Sequence, residues 1–88
     1  MTKKELQKLK SDYQHCYCEL IRVEKSKNEK KIKRERNFMG GYHRAVCTLL
    51  EVGHQQNYGF GIVQEWEEEV FAEWENAEKE GRSPKMIW

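Results

Sequence analysis

The chain has 88 residues, of which 38% are hydrophobic and 35% charged, with a formal net charge of +1 and a mean hydropathy of -1.02. A chain of this length is one domain that buries roughly 60–65% of the surface exposed on unfolding, too little to enclose a large catalytic cleft and its supporting residues. Leu, Ile, Val and Phe number 17; a core this thin sits near break-even against conformational entropy, so help from a partner surface is expected.

No run of 18 apolar residues is present, which excludes a transmembrane helix of the ordinary kind. Met1-Thr2-Lys3-Lys4-Glu5 lacks an apolar h-region, so no signal peptide is expected. Three cysteines, Cys16, Cys18 and Cys47, without a secretory signal read as reduced thiols in a cytoplasm.

The first predicted helix spans residues 3–25. It opens on a capping box, Thr2-Lys3-Lys4-Glu5, and its apolar residues Leu6, Leu9, Tyr13, Cys16, Leu20 and Val23 recur at alternating spacings of 3 and 4. Tyr17 and Ile21 lie on its flank. Extended further, this register meets only polar residues and glycine, so the packing ends near Val23. A second capping box, Ser26-Lys27-Asn28-Glu29, opens a helix over 27–52 with a new register at Phe38, Tyr42, Ala45, Leu49 and Val52, beside Val46 and Leu50. A turn near residues 24–30 makes the two an antiparallel helical hairpin with coiled-coil-like spacing; one continuous helix with a basic, unpacked middle is the alternative. Gly40-Gly41 lies inside the second helix, where each glycine costs roughly 1 kcal/mol relative to alanine. The pair points to close approach of a neighbouring helix, or to a kink.

Residues 53–61 read as a loop in which Tyr58 and Phe60 cover the open end of the core. The third helix spans 62–80, with Ile62, Val63, Trp66, Val70, Trp74 and Ala77 on one face. Residues 81–88 form a tail whose end, Met86-Ile87-Trp88, is apolar. The fold predicted is all-α: a helical hairpin with a third amphipathic helix packed along it in a single domain. The second helix carries an apolar arc of about 160°, wider than a two-helix contact needs, which makes a homodimer an economical supplier of the missing neighbour.

Charge divides along the chain: residues 1–44 carry a net +7 and residues 45–88 a net -6. The positive end is the segment 22–36, in which Lys30, Lys31, Lys33, Arg34 and Arg36 are candidates for binding phosphates. No aromatic interleaves that run before Phe38, so stacking on single-stranded bases is not signalled. The negative end is the glutamate-rich third helix, suited to a basic surface on another protein. The bland reading is that both faces are simply solvated.

The densest group of ligand-type side chains is His15-Cys16-Tyr17-Cys18. On a helix Cys16 and Cys18 diverge by about 200°. A zinc site would have to borrow His43 and Cys47 from the second helix, and no stoichiometric metal is expected. Cys16 reads as a small core residue and Cys18 as a surface one. A Cys–His nucleophile lacks an orienting third group, so no catalytic residue and no cofactor are assigned. Tyr58-Gly59-Phe60-Gly61 is not followed by Gly-Lys-Ser/Thr and is no phosphate loop. Trp66 and Trp74 read as packing on the hairpin. Phe71 lies about 110° off the apolar stripe, beside Glu67, Glu68 and Glu75. An aromatic rimmed by charge has the layout of an interface anchor, and Phe71, Ile87 and Trp88 are the predicted partner-binding residues, with Glu67, Glu68 and Glu75 around them.

The Lys/Glu-rich first helix and the segment Gly40-Gly41-Tyr42-His43-Arg44-Ala45-Val46-Cys47-Thr48-Leu49-Leu50-Glu51 give the chain a style that resembles small accessory proteins of phages and mobile elements of Gram-positive bacteria. The likeness covers about half the chain and is carried by composition. It implies a protein that binds and modulates or inhibits a host or defence protein. The function expected is therefore a non-enzymatic, cytoplasmic protein–protein interaction module. The alternative is a small nucleic-acid-binding regulatory protein that uses the segment 22–36.

Overall fold

The computed structural model describes residues 2–54 and 58–85. Its elements are three α-helices, α1 (Lys3–Lys25), α2 (Glu29–Glu51) and α3 (Tyr58–Glu80), and the described residues contain no strand. No helix among them is long and apolar enough to cross a membrane.

The predicted capping box forms at Thr2. Its side chain accepts from the Glu5 backbone N–H at 3.1 Å, and the Glu5 carboxylate accepts from the Thr2 backbone N–H at 3.2 Å. The second box does not form. Ser26 instead closes α1, its Oγ donating to the Val23 carbonyl at 2.5 Å. Lys27 turns the chain with a left-handed φ of 59°. Asn28 caps α2 by accepting from the Lys31 N–H at 3.2 Å. The turn thus takes up Ser26 to Asn28, and α2 starts at Glu29 rather than at 27 and ends at Glu51 rather than at 52.

The hairpin is real. Arg36 reaches back to Glu24 at 3.6 Å across the turn, and Tyr13 meets Tyr42 edge-on with centroids 5.6 Å apart. α3 then runs parallel to α1: Tyr13 bonds Glu67 and Lys25 bonds Glu78, partners 54 and 53 positions apart. The order is up-down-up. α3 ends in a Schellman motif, with Gly81 at φ 67°, Arg82 N–H on the Ala77 carbonyl at 2.9 Å and Gly81 N–H on that of Glu78 at 3.3 Å. Beyond it, Arg82 grips Glu73 at 3.0 and 3.1 Å and the Lys85 N–H donates to the same carboxylate at 2.8 Å, folding residues 82–85 back on α3.

The core is built from Tyr13, Leu20, Met39, Val46, Leu50, Val63 and Trp66, with a second group of Cys18, Ile21 and Val70 against Tyr17 and Trp74. On α3 the predicted face is the buried one. On α1 the expected seam holds at Tyr13 and Leu20, but a second face packs on α3. It buries Cys18 completely and leaves Cys16 half-buried, the reverse of the expectation for that pair. Gln14 is buried on the same side, donating to the Trp66 carbonyl at 3.0 Å and to Glu69 at 2.6 Å.

Two sequence expectations fail at α2 and the start of α3. The core register of α2 is Met39, Val46 and Leu50, while Phe38, Ala45, Leu49 and Val52 are exposed, roughly 110° round the helix. Contact with α3 through His43 and Cys47 turns the buried arc toward that side. And Tyr58 to Gly61, expected as loop, is the first turn of α3. The reason is Gly59: it is buried with its backbone laid on that of Cys47, so that a Cβ there would stand 3.0 Å from the Cys47 Cα and closer still to its carbonyl oxygen. This close approach of α2 and α3 outweighs the weak helix propensity of the Gly-Phe-Gly run. Residues 55–57 of the expected loop lie outside the described residues.

Candidate functional site

α1 and α3 run side by side and leave a groove of about 510 Å³ between their C-terminal halves, walled by Tyr17, Ile21, Phe71 and Trp74 and rimmed by Glu24, Glu75 and Glu78. Each wall residue is set by helical spacing. Tyr17 and Ile21 are one turn apart on α1, and Phe71, Trp74, Glu75 and Glu78 share one face of α3. Phe71 is 49% exposed, and its ring meets Tyr17 edge-on at 5.8 Å. Burial pushes the Tyr17 phenol up to about 12, helped by the nearby charges of Glu67 and Glu24. Tyr17 therefore stays neutral at physiological pH and keeps its O–H as a donor at the groove wall. Lys25 closes one end, its ammonium 5.3 Å from the centre of the Trp74 ring and ion-paired with Glu78.

The predicted partner-binding residues take different places. Glu67 is engaged inside the fold, accepting from the Tyr13 hydroxyl at 2.6 Å. Glu68 and Glu75 are exposed and have no ion-pair partner among the described residues; Glu75 stands on the rim beside Phe71. Ile87 and Trp88 lie outside the described residues. Sequence reasoning did not place Tyr17 in the site. Its signal was the flank position one turn before Ile21, legible only once α3 is known to run along that flank.

The alternative site is equally plain. Lys30, Lys31, Lys33, Arg34 and Arg36 are all exposed on α2, and among the described residues only Arg36 of these five has a carboxylate within ion-pair distance, that of Glu24. They occupy the N-terminal end of α2, ahead of its first buried residue, Met39.

Of the thiol and imidazole groups, Cys47 and His43 meet one turn apart on α2. Cys47 Sγ lies 3.8 Å from the His43 ring nitrogens, while Phe60 stacks edge-on against the same imidazole at 5.9 Å. Burial raises the Cys47 thiol, as it does those of Cys16 and Cys18, which opposes thiolate formation at neutral pH. Cys18 sits under Trp74 on the α3 side of α1, turned away from His43 and Cys47. Among the described residues no three His, Cys, Asp or Glu side chains group so as to hold a metal ion.

No protein-family profile, no curated protein sequence and no solved structure matches the chain. The fold and its surface define the class: a small all-α protein of three packed helices, with an aromatic groove on one side and a basic turn on α2.

Proposed function

We propose that this chain is a non-enzymatic protein-interaction module whose α1–α3 groove receives a partner segment carrying apolar and basic side chains. One observation carries the reading. Phe71 leaves half its surface to solvent at the mouth of a groove, backed by the half-buried Tyr17 and bordered by the Glu75 carboxylate, which has no ion-pair partner among the described residues. An aromatic held at a fixed angle loses little entropy on binding, and the surrounding charge steers encounter and sets orientation. The resemblance to phage and mobile-element accessory proteins supports a bacterial host or defence protein as the target, met in the cytoplasm, where the three thiols stay reduced. The test is affinity capture from a bacterial lysate with the wild-type chain, Phe71→Ala and Glu75→Lys as parallel baits. A species held by the wild type and lost with both variants supports the reading. One held equally by all three refutes it.

A second reading rests on the other surface. Lys30, Lys31, Lys33 and Arg34 project from one end of α2 without a carboxylate partner among the described residues and can displace counterions from a phosphate backbone. A gel shift on random duplex DNA and RNA at two salt concentrations decides it. Binding that weakens steeply with salt and vanishes when these four become Glu supports it.

A further inference from the structure

We propose that the α1–α3 groove contains a subsite for one basic side chain of the partner, an ammonium or a guanidinium, and that Lys25 fills this subsite until the partner displaces it. The inference rests on the groove reading above and names the chemistry of its ligand. A cation is already in place there. The Lys25 ammonium lies 5.3 Å from the centre of the Trp74 ring, within reach of a cation–π contact, and is ion-paired with Glu78. On α3, Trp74 is followed one turn later by Glu78, and Phe71 one turn later by Glu75, so each aromatic wall carries a carboxylate on the same face. Of the three rim carboxylates, Glu24 is paired with Arg36 and Glu78 with Lys25, while Glu75 has no ion-pair partner among the described residues. The groove thus provides for more positive charge than Lys25 supplies.

Lys25 is a replaceable occupant. It is the last residue of α1, and the side chains of Lys25 and Glu78 are 47% and 58% exposed, so the pair is open to water and weakly held. Its flexible stem can carry the ammonium out to solvent or to the carbonyls at the end of α1, where the helix dipole favours a cation. A partner's basic residue arrives attached to apolar groups that cover Phe71 and Tyr17 and expel water. Ionic and cation–π attraction both strengthen as water leaves. A guanidinium can also stack flat on the indole and fork between carboxylates.

Three capped dipeptide amides serve as probes: acetyl-Leu-Arg, acetyl-Leu-Lys and acetyl-Leu-citrulline, whose urea has the shape of a guanidinium without its charge. Each is titrated to about 20 mM into the isotope-labelled full chain at about 0.15 M ionic strength, following the Trp74 indole N–H and the Phe71 and Glu75 amides. The two basic probes should bind about threefold or more tighter than the citrulline probe, and the tighter of the two names the preferred group. Lys25→Met should tighten the basic probes about threefold and leave the citrulline probe unchanged. Lys79→Met, the same charge change at an exposed position of α3 outside the groove, should alter neither. Glu75→Gln should weaken the basic probes by a similar factor. Should Lys25→Met lose helicity, Lys25→Gln takes its place. Equal binding of all three probes overturns the cation subsite and leaves an apolar groove. A silent Trp74 with every probe overturns it too, as does a Lys25→Met chain that binds like the wild type. Failure of the lysate capture with the probe preference intact strikes the protein partner and not the subsite.

Discussion

Adding one methyl group at Gly59 should unfold this protein more easily, and adding the same group at Gly40 should do the opposite. At Gly59 the new Cβ would sit 3.0 Å from the Cys47 Cα and carbonyl carbon and closer still to the carbonyl oxygen, all of them backbone atoms that no rotamer change can move aside. α2 and α3 would have to part by roughly 1 Å to restore van der Waals contact distances. Overpacking of this kind costs about 1–3 kcal/mol, and separating the helices also loosens the packing of Val46 and Val63 beside the contact. The gain in helix propensity, at most about 1 kcal/mol, is reduced at Gly59 because it lies in the first turn. The net expectation for Gly59→Ala is a loss of about 1–2 kcal/mol. At Gly40 nothing described lies within 4 Å, and the backbone is helical, so Gly40→Ala should gain roughly 0.5–1 kcal/mol. Urea denaturation followed by circular dichroism reads both. A stabilised Gly59→Ala, or two shifts of the same sign and size, would refute the α2–α3 contact described here.

Three other perturbations follow from particular contacts. Tyr13→Phe removes the hydroxyl that donates to Glu67 and should cost about 1–2 kcal/mol in the same denaturation assay, with the packing of the ring retained; an unchanged midpoint would deny that bond a structural role. The Arg82 guanidinium and the Lys85 N–H hold the Glu73 carboxyl down to about 2 from its ordinary 4.5. Because the folded-state value is the lower one, this contribution is complete above about pH 4.5 and disappears as pH falls toward 2. The melting difference between the wild type and Glu73→Gln should therefore be present at pH 6 and close near pH 2, and a difference that grows on acidification would contradict the clamp. Phe71→Ala should leave the isolated fold within about 1 kcal/mol of wild type, as befits a half-exposed side chain, while a larger loss would make Phe71 ordinary core.

The face of α3 was readable because Val63, Trp66, Val70 and Ala77 form a narrow stripe with glutamates around it, leaving one way to bury it. α2 was readable only in part. Its apolar arc is broad, and periodicity locates an arc without saying which edge meets the neighbours; Phe38, Leu49 and Val52 are as apolar as Met39, Val46 and Leu50 but lie on the open side. Cys18 and Gln14 were misjudged or passed over because their burial comes from α3, more than 50 positions away in sequence. The start of α3 was hidden by glycines whose signal reads as a turn, although Gly59 serves a helix–helix contact. Of the groove, Phe71 was legible as an aromatic among glutamates. Tyr17 and the Lys25–Trp74 contact were not, since both depend on the parallel alignment of α1 with α3.

The α1–α3 groove is tested most directly by amide chemical-shift mapping of the labelled chain as a captured partner is added. The largest shifts should gather at Tyr17, Ile21, Phe71, Trp74 and Glu75 and be lost with Phe71→Ala. Shifts confined to residues 30–36, with the groove silent, would contradict the account and assign binding to the basic turn of α2.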